Sequence, residues 1–166
     1  MVLQIIAKLT RGETILPADS TKDKRIDIDS ESDMVDAENI ENNASTQHLE
    51  APVNVIYQTA EDGLGDTIKP RLLAAGADCT KVMVIDDSEQ PLTMADVRLE
   101  EAIVQTKARM VVLDPIQGFL GSEVDMHRAN EIRPLMKRIA VLAEKYHCAI
   151  ILIGHMNKNS NGKSSY

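Results

Sequence analysis

The chain has 166 residues, 43% of them apolar and 27% charged, a balance that suits one soluble globular domain and leaves little room for two. The net charge of −8 does not exclude a nucleic-acid partner, because residues 17–51 carry −7 of it, with ten acids against three bases. Aromatic residues make up 2% and no stretch approaches the ~20 apolar residues of a membrane span, so an aliphatic core is expected in a protein with no membrane partner.

Along the chain, Val2, Leu3, Ile5, Ile6 and Leu9 follow helical spacing and Gly12 stands where a helix stops, which predicts a first helix from Met1. The run is too short for a signal-peptide core and has no basic segment before it. Cys79 and Cys148 belong to no CxxC pair, so two idle thiols in a reducing cytoplasm are expected. Pro17 to Ala51 has few large apolar residues and no sustained period, the pattern of an acidic loop or disordered insertion. Val53 to Tyr57 is a buried strand, Gln58 to Gly65 a polar turn, and Asp66 to Ala75 a helix closed by Gly76. Val82 to Ile85 is a short strand. Thr93 is the expected N-cap of a helix reaching Lys107. Met110 to Leu113 is an apolar strand ending at Asp114. Met126 to Tyr146 is an amphipathic helix in which Pro134 marks either a kink or the true first turn. Ala149 to Ile153 is the last strand, ending in Gly154-His155. Strands apolar throughout, alternating with helices, indicate a parallel sheet covered on both faces. Ligands of such sheets bind beyond the carboxyl ends of the strands.

Three of those ends carry residues capable of chemistry. Met110-Val111-Val112-Leu113-Asp114 is a Walker B pattern: four apolar residues fix a carboxylate at the strand mouth, where it can hold a Mg²⁺-bound water beside nucleotide phosphates. The same Asp114-Pro115 could simply begin a turn. In Thr59-Ala60-Glu61-Asp62, Glu61 could deprotonate a water attacking a γ-phosphate, or the acidic pair could face the positive end of the next helix. His155 could sense a γ-phosphate or be an ordinary polar strand end. Asn157, Lys158 and Lys163 lie in a polar tail that could meet phosphates of ATP or DNA, or fray. Gly162-Lys163-Ser164 imitates a phosphate loop, but GxxxxGK[ST] needs glycine where Asn157 stands and a helix afterwards.

Taken together, Val55 to Asp66, Val111 to Pro115 with Phe119-Leu120-Gly121, Arg128 to Pro134 and Ile150 to His155 resemble, in order, the RecA-like P-loop ATPases of the RepA-type hexameric helicase group. The group also includes phage and plasmid ATPases, and the similarity covers roughly Pro52 to Tyr166. The resemblance implies a three-layer α/β sandwich with a mostly parallel sheet, as one partial RecA-like ATPase domain over residues 1–166 that is incomplete at its N-terminus. It implies ATP and Mg²⁺ as cofactors. Glu61 and His155 take catalytic positions, Asp62 and Asp114 bind the nucleotide, and Asp114 is associated with the metal. Gln117 and the loop to Asp125 correspond to a surface of contact with DNA or a neighbouring subunit, to which Asn157, Lys158 and Lys163 of the polar tail could add. DNA and a homo-oligomeric ring are the implied partners.

Members of that group place a strand and a glycine-rich GKT loop just before a helix resembling Met1 to Gly12. This sequence shows neither, and the absent strand is expected beside the Asp114 strand in the centre of the sheet, where its absence would expose apolar edges. The first reading is therefore an ATPase fragment, inactive alone, from a parent that acts on DNA in replication, unwinding or repair. A second is a non-enzymatic short product that binds and modulates full-length ring subunits. A third is an unrelated Mg²⁺-dependent α/β enzyme using Glu61 and Asp114 directly.

Overall fold

The computed structural model describes residues 1–15, 51–126 and 128–154. Nearly all of the acidic stretch, and the tail from His155 onward, lie outside the described residues. The first helix, α1 (Val2–Arg11), ends as its sequence requires: Gly12 adopts φ 74° and the backbone N–H groups of Gly12 and Glu13 close on Leu9 and Lys8. Its apolar stripe buries Ile6 and Ala7 completely.

Strand β1 (Val55–Thr59) begins two residues later than its apolar run. The Val53 N–H is donated to Leu9 O at 3.1 Å, and the Asn54 amide to Thr106 O at 2.7 Å, so these residues tie the base of the sheet to two helices. The strand also runs on through Gln58, which the sequence placed in a turn. Gln58 is fully buried, and its amide is satisfied by the backbone of Ile85, donating to the carbonyl and accepting from the N–H, both at 3.0 Å. Strand β2 (Val82–Met83) is correspondingly shorter than its apolar run, because Ile85 pairs with a side chain where a ladder partner would stand. Between them, a π-helical turn (Leu64–Ile68) leads into α2 (Lys69–Ala74), with Pro70 in the first turn, where its missing N–H costs nothing.

Helix α3 (Val97–Thr106) starts later than Thr93: its cap is Asp96, whose carboxylate accepts from the Arg98 N–H at 2.9 Å. Thr93 is spent in the preceding turn, where Met94 N–H bonds Phe119 O at 2.8 Å. Strand β3 (Met110–Asp114) matches its sequence pattern. Helix α4 (Ala129–Tyr146) holds Pro134 within its second turn, on the exposed side, and β4 (Ala149–Leu152) follows.

The four strands are all parallel, in the order β2-β1-β3-β4. Alternation divides their side chains between two cores. Val55, Tyr57, Met110 and Val112 face α1 and α2; Ile56, Val111 and Leu113 face α3 and α4 with Leu99, Ile103, Ile139 and Leu142. The result is the three-layer α/β sandwich with a parallel sheet that the resemblance to RecA-like ATPases implies. One expectation is corrected. No further strand can enter beside the Asp114 strand, because β3 is hydrogen-bonded to β1 on one side and β4 on the other; among the described residues the sheet edges are β2 and β4. Both cysteines are free thiols, and burial pushes that of Cys148 up to about 11.

Candidate active site

The connection leaving β1 passes over the α1–α2 face to β2, whereas the one leaving β3 passes over the opposite face to β4. Two adjacent parallel strands whose exits diverge in this way open a crevice at their carboxyl ends. Register puts Thr59 opposite Asp114, and the Ala60 N–H reaches Asp114 O at 3.0 Å. The turn bearing Glu61 and Asp62 and the Asp114 carboxylate at the end of β3 therefore share one mouth.

Thr59 shapes the first wall. Its hydroxyl oxygen accepts from the N–H groups of Asp62 at 3.1 Å and Glu61 at 3.4 Å, turning the chain and leaving the Glu61 side chain exposed at the bend. Asp62 is held at 3.2 Å by Arg71 of α2, an exposed pair that fastens the turn to the helix and adds under about 1 kcal/mol. The second wall is the end of β3. The Asp114 carboxylate, half-buried, accepts from the Tyr57 hydroxyl at 2.8 Å. Burial above all, then that hydrogen bond and the negative charge of Asp114, push the Tyr57 phenol far above its ordinary value, so it remains a donor at any working pH.

After β3 the chain enters a 3₁₀ turn (Ile116–Phe119) that carries Gln117, half-buried. Ile116 N–H bonds Ile153 O at 2.6 Å, and Ile153 N–H bonds Leu113 O at 3.0 Å, which brings the end of β4 against the same mouth. His155 is two residues further on and, like Asn157, Lys158 and Lys163, lies outside the described residues.

Gly118 sits where this turn crosses the β1 exit. A Cβ at that position would overlap the Cβ of Ala60, so only glycine lets the two loops meet. Gly118→Ala is expected to cost about 1–3 kcal/mol in urea unfolding, and Ala60→Gly in the same chain should recover most of it. A double variant no more stable than the single one would show that the two loops do not press on each other.

Among the described residues no group of three His, Cys, Asp or Glu could hold a metal ion. That donor set fits a cation carried mainly by phosphates and water with one protein carboxylate, as is usual for Mg²⁺, and does not fit a protein-built cage. Asp114 would be that carboxylate. Tyr57, Gln58 and Gly118 were invisible in the sequence as parts of the site. A tyrosine and a glutamine in a strand look like ordinary strand residues until register places Asp114 and Ile85 beside them.

A family model described as an AAA domain matches residues 37–161, most of the chain and a span that takes in both strand ends and His155. No curated protein matches the chain. With that match over most of its length, an all-parallel sheet and a crevice at the divergence of two strand exits, the chain belongs to the AAA domain family of P-loop ATPases.

Proposed function

We propose that this domain serves ATP hydrolysis coupled to work on DNA, with Glu61 activating the attacking water and Asp114 orienting the water-bound cation beside the β- and γ-phosphates. The observation that supports the reading is the 3.0 Å bond from Ala60 N–H to Asp114 O, which brings the turn of Glu61 and the end of the Asp114 strand to one crevice. Mg²⁺ bound there would offset the charge that develops on the phosphates. Glu61, exposed at its bend, takes the proton of the water as its oxygen attacks the γ-phosphorus; the bond to the β–γ bridging oxygen breaks, and ADP leaves with that electron pair. Asp62, occupied by Arg71, lines the nucleotide side of the turn. His155, three residues beyond the end of β4 in the sequence, answers the presence of the γ-phosphate.

The DNA and ring-subunit part of the reading rests on the resemblance to hexameric helicases, on Gln117 in the turn after β3, and on the polar residues Asn157, Lys158 and Lys163 that follow β4 in the sequence. The setting would be a single domain in a cytoplasmic homo-oligomer. No helix among the described residues is long and apolar enough to cross a membrane.

The 166 residues contain no GxxxxGK[ST] sequence. The amide cradle and lysine that grip β- and γ-phosphates in such sites would then come from outside them, elsewhere in the polypeptide or from a full-length subunit. Titration of the chain with a fluorescent ATP analogue in Mg²⁺ is expected to give an affinity weaker than micromolar, and weaker still in Asp114→Ala. Micromolar binding by the chain alone would overturn the divided site, and binding indifferent to Asp114→Ala would overturn the role of that carboxylate.

A further inference from the structure

Tyr57 and Asp114 lie on neighbouring strands of the sheet. Tyr57 stands opposite Val112 and Asp114 opposite Thr59, so the two are diagonal neighbours whose side chains emerge on the same face, within reach of an aromatic side chain. Tyr57 is 2% exposed, its ring packed in the core beneath α1 and α2 with Val55, Ile68, Leu72 and Val112. Its hydroxyl donates to Asp114 Oδ2 at 2.8 Å, at the end of β3. A ring with two torsions, locked by packing, gives a hydroxyl of fixed position, and a hydrogen bond to an ionised carboxylate is short and strongly oriented.

We propose that Tyr57 is a positioning residue for the cation-side carboxylate: its buried hydroxyl sets the rotamer of Asp114, so that the carboxylate meets a divalent cation already oriented. The device rests on the proposed role of Asp114 in the ATP site. It makes the sheet core beneath α1 and α2 part of the cation site, since any shift of the Tyr57 ring would move its hydroxyl away from the carboxylate. A tyrosine kept only for packing would contribute through its ring alone, and removal of the oxygen separates the two roles.

The test uses the full chain with ¹³C-labelled aspartate and Mn²⁺ with inorganic triphosphate as the probe, reading paramagnetic broadening of the Asp114 carboxyl resonance, assigned by its loss in Asp114→Asn. Tyr57→Phe is expected to raise the Mn²⁺ concentration needed for half-maximal broadening about 10-fold, with the thermal midpoint little changed. If Tyr57→Phe does not fold, Tyr57→Met carries the same comparison. A midpoint within twofold of wild type, or no selective broadening at Asp114 in the wild-type chain, overturns the proposal. The two readings fail separately. If Mn²⁺ binding responds to Tyr57→Phe but no preparation binds Mg·ATP through Asp114, the ATP site is wrong and the positioning stands. If Mg·ATP binding depends on Asp114 while Mn²⁺ ignores Tyr57→Phe, the reverse holds.

Discussion

Glu61→Gln is expected to slow ATP turnover by about 10²–10⁴-fold while Mg·ATP still binds, measured as single-turnover phosphate release by the protein carrying its phosphate loop. The amide keeps the size and hydrogen-bonding reach of the carboxylate but cannot accept the proton of the attacking water. The neighbouring acid makes a strict control. Asp62 has the same charge one residue away, but its carboxylate is bound to Arg71 on the nucleotide side of the turn, so its loss bears on binding and not on proton transfer. Asp62→Asn is accordingly expected to change turnover by no more than a few-fold, in line with the under about 1 kcal/mol of an exposed pair. Equal losses in the two variants would show that negative charge at the crevice, and not a base at Glu61, is what matters.

Gln58→Leu is expected to destabilise the domain by about 2–4 kcal/mol, or roughly 10 °C in the thermal midpoint. Leucine nearly conserves the volume of a fully buried side chain, so the cost isolates the two hydrogen bonds to Ile85. Both backbone groups of Ile85 would lose their partner, and an abandoned polar group costs more than a made hydrogen bond contributes. The loss should concentrate at the edge of the sheet, because β2 pairs with β1 through only Val55 with Val82 and Ile56 with Met83. Amide exchange would therefore rise first at Met83 and Ile85 while β3 stays protected. Uniform loss of protection across β3 and β4 would mean that Gln58 supports the core as a whole and not the β2 edge.

Much of the architecture was legible in the residues themselves, because it depends on local periodicity. The stripe of α1 with Gly12, the continuous apolar run of β3 with Asp114 at its end, and strands alternating with helices all follow from spacing and side-chain type. Those features suffice for a parallel sheet in a three-layer sandwich and for two carboxylates, Glu61 and Asp114, at strand ends. Which ends become neighbours depends on strand order, and strand order is set by long-range pairing that no local pattern encodes. Only the fold shows β3 enclosed between β1 and β4, so that Thr59 stands opposite Asp114 and no strand can enter beside it. Boundaries moved wherever a polar side chain found a distant partner: Asp96 rather than Thr93 caps α3, and Gln58 extends β1 by meeting the backbone of Ile85. The deepest part of the site, Tyr57 holding Asp114, exists only through register. In the sequence the two residues are separated by two helices and a strand, and in the sheet they are hydrogen-bonded neighbours.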